Sequence, residues 1–172
     1  MRFNTALLHS TKLGDENTGA TLTPIYQSSA FYQPSAEQHE KLFHNKATGY
    51  SYTRINNPTI VAFEERMTNL EKGVGSVACS SGMAALTNAL LNIVGTGGEI
   101  VSSTGLYGGT IDLFPDLEAF GIKTTFVEIS DKEAVKAAIN ENTRVIFAET
   151  IGNPKLDVVD IKALSELAHS HR

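Results

Sequence analysis

The chain has 172 residues, 41% of them hydrophobic and 19% charged, which is enough apolar material for one domain with a sizeable core and excludes a disordered chain. Its 14 basic and 19 acidic residues leave a formal charge of −5, so no basic surface is available for nucleic acid or an anionic membrane, although a small anion can still meet a local positive site. A single cysteine, Cys79, excludes an internal disulfide framework; with no apolar signal core in residues 1–11 and no run near the roughly 18 apolar residues of a membrane helix, the expected location is the cytoplasm.

Residues 1–57 carry Thr23-Pro24, Gln33-Pro34 and Asn57-Pro58 with no sustained helical period, and they read as an extended arm that needs something to lie on. The pattern changes at Pro58, a residue suited to a first helical turn. It leads into residues 59–72, where Ile60, Phe63, Met67 and Leu70 keep helical spacing until Gly73. Residues 76–79 read as a strand, 83–93 as a helix ended by Gly95, and 99–102 as a second strand. A helix over 110–120, irregular at Pro115, is followed by a β-branched strand at 124–129. Asp131 then caps a helix over 132–139, and a strand follows at 144–149. The stretch 159–171 is amphipathic, with Ile161, Leu164 and Leu167 on one face. Alternation of this kind predicts an α/β fold with a largely parallel sheet covered by helices on both faces, whose ligands bind beyond the carboxyl ends of the strands.

Three motifs follow that rule. Ser80-Ser81-Gly82-Met83 comes after the first expected strand and opens a helix, where backbone N–H groups and the helix dipole favour an anion such as phosphate. Residues 104–107 follow the second strand and 149–153 the fourth, which points all three at one rim. Arg54 offers a planar fork to the same phosphate. Each motif also has an ordinary reading: a Ser cap, a loop aromatic at Tyr107 beside Gly108-Gly109, and a turn at Asn153-Pro154.

Rival signatures fail on order or spacing. Gly95-Thr96-Gly97-Gly98 closes a helix and enters a strand, the reverse of a dinucleotide-binding loop, and reads as a turn. Ser80 and Ser81 lack the Gly-x-Ser-x-Gly elbow of a hydrolase nucleophile, and the histidines His9, His39, His44, His169 and His171 lack metal-ligand spacing. Cys79, near a strand end, reads as a buried structural thiol.

Taken in order, residues 50–59 (YSYTRINNPT), 80–85 (SSGMAA), 106–110 (LYGGT) and 149–154 (ETIGNP) resemble the pyridoxal phosphate (PLP) enzymes of cysteine and methionine metabolism. That family includes cystathionine γ-synthase, cystathionine lyases, methionine γ-lyase and O-acetylhomoserine sulfhydrylase. The likeness covers nearly the whole chain. LYGGT and ETIGNPK are most similar to the O-acetylhomoserine sulfhydrylase branch, whereas the methionine γ-lyase branch has a cysteine where Gly109 stands.

The resemblance implies a fold-type I PLP-dependent transferase. Residues 1–57 would be its extended N-terminal arm, and 58–172 the first part of an incomplete PLP-binding large domain. It implies that Gly82 and Met83 donate backbone N–H bonds to the cofactor phosphate with Ser81 before them, and that Tyr52 and Arg54 reach the same phosphate from a neighbouring subunit. Tyr107 would stack on the pyridine ring and do acid/base work, and Asn153 would stand near the cofactor's phenolic oxygen and the substrate carboxylate. The implied activity is γ-replacement, making homocysteine or methionine from an O-acylhomoserine and sulfide or a thiol, by a homo-oligomer arranged as a dimer of dimers. A methionine or cystathionine γ-lyase, a cystathionine γ-synthase and a non-catalytic truncated module are the alternatives. The family's Schiff-base lysine, and the aspartate that pairs with the pyridine nitrogen, fall beyond Arg172; Lys155 and Lys162 lack the context to replace that lysine, so the chain reads as an N-terminal fragment that is inactive alone.

Overall fold

The computed structural model describes residues 2–9, 14–15 and 17–171. The chain divides into two compact units, the first running to Ala78 and the second starting at Cys79.

Among its described residues the first unit contains three helices, α1 (Phe3–His9), α2 (Ala36–Phe43) and α3 (Pro58–Glu71). The two early helices correct the expectation of an arm without helical segments. In α2 the hydroxyl of Ser35 accepts the N–H of Gln38 at 3.2 Å, and this Ser-x-x-Gln spacing of a capping box was present in the sequence as a signal. At α3 Pro58 stands in the first turn, as the sequence predicts, and Asn57 is the N-cap. Lys72 then ends the helix in the left-handed conformation, one residue before the expected Gly73.

Polar ties organise this unit more than burial does. None of its helices carries a buried residue, and the polar Asn57 is 3% exposed. Segment 28–31 is held to the turn that follows Tyr50 by an antiparallel bridge between Ala30 and Tyr52. Backbone bonds from Phe31 to Ser51 (3.0 Å) and from Thr53 to Ser29 (2.9 Å) reinforce it. The carboxyl of Asp15 lies below the usual carboxylate range, first because the backbone N–H of Asn17 donates to it.

The second unit is a three-stranded parallel sheet in the order β2-β1-β3, built from β1 (Glu99–Ser103), β2 (Lys123–Val127) and β3 (Thr143–Phe147). Four helices accompany it: α4 (Gly82–Val94), α5 (Gly108–Glu118), α6 (Lys132–Ala138) and α7 (Ile161–His169). Successive residues of a strand point to opposite faces, and the central strand shows it directly. Ile100 is buried with Leu90, Val94, Phe114 and Leu117 of α4 and α5, while its neighbour Val101 is buried with Val135 of α6, and Leu164 and Leu167 of α7 pack on that second cluster. Helices therefore cover both faces, as alternation predicts. Edge-on contacts of the Phe114 ring with Phe126 (5.6 Å) of β2 and Phe147 (5.7 Å) of β3 join both outer strands to α5.

Two expectations fail here. Residues 76–79 join no ladder, because none of the three described strands pairs with them, so the sheet begins at Glu99. Cys79, expected to be buried, is exposed as a consequence. The Gly95-Thr96-Gly97-Gly98 segment is the turn its order suggests: Gly95 and Gly97 have positive φ (67° and 86°), and a side chain at Gly98 would meet the Val94 carbonyl.

Candidate cofactor and substrate site

The start of α4 has the form of an anion site. Ser81 is the N-cap in an extended conformation, and its hydroxyl accepts the N–H of Ala84 at 3.1 Å. The Ala85 N–H bonds the Ser81 carbonyl at 3.0 Å, whereas the N–H groups of Gly82 and Met83 have no acceptor among the described residues. Gly82 leaves space as well, since a Cβ there would find no atom within 4 Å. The body of α4 is anchored in the first core through Leu90 and Val94, with Leu86 packed against it, so the orientation of these donors is fixed by burial.

Tyr107 ends the loop after β1 and is the N-cap of α5. The residue is 54% exposed, and a Cβ at Gly109 would lie 2.6 Å from the ring's Cε1, so the glycine is what lets the ring lie over the start of the helix. Pro115 lies inside α5, which begins at Gly108, two residues ahead of the expected start.

The loop after β3 carries Asn153. It is closed by a bridge between Ile151 and Val158, with the Gly152 N–H donating to the Asp157 carbonyl at 2.8 Å, and its Asn153–Pro154 peptide is cis. Asn153 is exposed at its tip. This loop meets the Tyr107 loop at two points. The backbone N–H of Tyr107 donates to Glu149 Oε1 at 3.0 Å, and a side chain on either Gly105 or Gly152 would strike the carboxylate of Asp157. Two of the three loops expected at one rim are thus in contact; the third, at Ser81, Gly82 and Met83, sits at the head of α4. Glu149 and Asp157 are functional candidates that the sequence reading passed over. Glu149 lay inside a quoted motif, but nothing in the sequence pairs it with Tyr107.

In the first unit the structure brings Tyr52 and Arg54 together, with the Arg54 guanidinium carbon 5.0 Å from the centre of the Tyr52 ring. Arg54 forms no ion pair or hydrogen bond among the described residues, so its charge is not committed to any of their carboxylates. Every described lysine is exposed; Lys155 pairs with Glu128 at 3.7 Å and Lys162 with Glu166 at 3.9 Å. No group of three or more metal-ligating side chains is found among the described residues.

A parallel α/β sheet covered on both faces, with free N–H donors at a helix start and an exposed aromatic ring past a strand end, defines a protein that can hold a flat, phosphate-bearing cofactor. The family model for Cys/Met metabolism PLP-dependent enzymes matches residues 4–172, and the chain belongs to that family. It is 47% identical over 169 residues to the O-acetyl-L-homoserine sulfhydrylase of Corynebacterium glutamicum, covering 97% of this chain and 39% of that protein. It is 44% identical over 154 residues to an L-methionine gamma-lyase of Fusobacterium nucleatum, covering 89% and 39%. A solved structure from Campylobacter jejuni, with N'-pyridoxyl-lysine-5'-monophosphate at its position 205, matches 99% of this chain and 42% of its own at a TM-score of 0.87 and 31% identity. The chain spans about two fifths of the length of the relatives it matches. No helix among the described residues is long and apolar enough to cross a membrane.

Proposed function

We propose that these 172 residues form the N-terminal part of a PLP-dependent γ-replacement enzyme, which makes homocysteine or methionine from an O-acylhomoserine and sulfide or a thiol in the cytoplasm. The observation that carries the reading is the pairing of Tyr107 with the loop of Glu149 and Asn153 at the strand ends, in a chain 47% identical to a sulfhydrylase. Residues 1–57 act as its arm, with the PLP-binding large domain beginning at residue 58.

In this reading the N–H groups of Gly82 and Met83, with Ser81 at the cap, hold the cofactor phosphate, and Tyr52 and Arg54 complete that grip from a neighbouring subunit of a homo-oligomer, a dimer of dimers. Bound there, the cofactor supplies an electron sink that acidifies the α-hydrogen of an amino-acid substrate. Tyr107 presents its ring face to the cofactor, and its hydroxyl moves a proton at the substrate; Asn153 orients the substrate carboxylate. The lysine that holds the cofactor comes from beyond this segment, in keeping with the solvated setting of every described lysine.

A γ-lyase acting on methionine or cystathionine, or a cystathionine γ-synthase, is the second reading, favoured by the 44% identity to a methionine gamma-lyase. A non-catalytic module is the third. Full-length enzyme given O-acetylhomoserine and sulfide should form homocysteine in preference to releasing keto acid and ammonia. Release of keto acid from methionine at a comparable rate would establish the lyase reading instead, and inertness of the full-length protein would leave the module.

A further inference from the structure

The helix α5 starts on an aromatic residue, and an aromatic residue cannot cap. Tyr107 makes no side-chain cap bond; its carbonyl takes the N–H groups of Thr110 (2.9 Å) and Ile111 (3.1 Å), while its own N–H, with no helical turn before it, must be satisfied from elsewhere. In a capping box that N–H is taken by a Glu or Gln three residues into the same helix. Thr110 stands there in this chain. Glu149 takes the bond instead, across 42 positions, from the segment just past β3. A carboxylate at that spot also places negative charge at the positive end of α5.

The neighbouring packing keeps this reach short. Leu106, directly before Tyr107, is 1% exposed and belongs to the first core, while Gly105 and Gly152 have no side chains and so admit the carboxylate of Asp157 between the two loops. The backbone entering Tyr107 is thus held both by the burial of Leu106 and by Glu149, and the backbone leaving it by the helical bonds to the Tyr107 carbonyl. Tyr107 is more than half exposed and its ring lies against the side-chain-free Gly109, so its backbone position largely decides where the ring stands.

We propose that Glu149 is a positioning residue for Tyr107: by accepting the Tyr107 N–H it fixes the ring in register with the Asn153 loop, so that the ring and the asparagine move as one unit. The part of this inference that concerns cofactor rests on the reading of Tyr107 as the stacking residue; the clamp itself does not.

The test uses the full-length protein and the variants Glu149→Ala, Glu149→Gln, Tyr107→Ala and Glu149→Ala/Tyr107→Ala. Hydrogen exchange of the peptide covering residues 104–111 is followed by mass spectrometry in cofactor-free protein, and the dissociation constant for PLP is measured for each variant. Glu149→Ala should speed exchange in that peptide by about 10-fold or more, because an amide freed from its acceptor opens locally. Glu149→Gln, which keeps an acceptor oxygen, should restore most of the protection. Glu149→Ala should weaken PLP binding, and the double variant should bind no more weakly than Tyr107→Ala alone, since residues acting as a unit are not additive. Unchanged exchange in Glu149→Ala overturns the clamp. Additive loss of PLP affinity in the double variant overturns the link to Tyr107 and gives Glu149 a role of its own. Faster exchange together with unaltered PLP binding in Tyr107→Ala upholds the clamp and removes stacking from Tyr107.

Discussion

Asn57 donates its side-chain amide to the carbonyl of Tyr26 at 2.9 Å, while its other atom, Oδ1, accepts the N–H of Thr59 at the same distance. One buried side chain therefore caps α3 and fastens a segment 31 positions earlier to that cap. The Thr59 hydroxyl adds to the tie by accepting the Tyr26 N–H at 2.9 Å and donating to the Pro24 carbonyl at 3.0 Å. Asn57→Ala should destabilise the first unit by about 1–2 kcal/mol, through loss of the cap and a partly buried carbonyl left without its donor. Asn57→Asp keeps the cap acceptor but not the amide donor and should recover part of that loss. Denaturant midpoints of the full-length variants check this; equal midpoints for alanine and wild type would show that water replaces both bonds.

Tyr107→Phe keeps the ring and removes the hydroxyl. Cofactor affinity should stay within a factor of a few, while turnover falls by roughly 10- to 10³-fold, the range expected when one group moving a proton is removed. Steady-state kinetics beside a PLP titration separate the two effects. Wild-type turnover would leave Tyr107 with stacking alone.

Arg54 supplies the test of shared sites. Arg54→Ala and a variant lacking the cofactor lysine should each be nearly inactive as homo-oligomers, yet mixed subunits should recover toward half of the wild-type activity per dimer. Such a dimer has one site with both lesions and one with neither. No recovery in hybrids verified by mass would return Arg54 to its own subunit.

Where the sequence was legible, a side chain announced the boundary. Ser81 and Asp131 each stand where a helix begins, and each accepts an N–H from the first turn. Asn57 at α3 and Asp160 at α7 do the same, although there the readable signals are Pro58 and an apolar period that suggests a start at residue 159. The run at 76–79 was misread because apolar composition does not show whether a neighbouring strand is present, and a strand exists only by its ladder. Helices α1 and α2 are hard to read because they are short, seven and eight residues, and stand in a stretch punctuated by Thr23-Pro24 and Gln33-Pro34. At the candidate site, residue types and order were readable. The bond from Tyr107 to Glu149 was not, since only the parallel pairing of β1 with β3 brings those loops side by side.

That pairing also sets the behaviour of the 172-residue chain produced by itself. Among the described residues β3 has β1 on one side and no strand on the other, and the apolar Ile146, Ala148, Val159, Leu164 and Ala168 line a cleft beside it. An unpaired strand edge next to apolar surface is a template for association, so the isolated chain should elute from gel filtration as oligomers or aggregates. Given PLP and then borohydride, it should retain no label on any single lysine. A monomeric peak, or one reproducibly labelled lysine, would contradict these expectations in turn.

The strand order β2-β1-β3 has a meaning for the growing chain on the ribosome. The strand synthesised first occupies the middle, so β2 and then β3 each meet a free side of β1 as they emerge, and neither has to insert between strands already joined. At about 5–20 residues per second, the interval from Glu99 to Phe147 is roughly two to ten seconds of translation. By then the rings of Phe114, Phe126 and Phe147 have all been made, and the aromatic contacts of the first core can close as soon as Phe147 leaves the ribosome's exit tunnel.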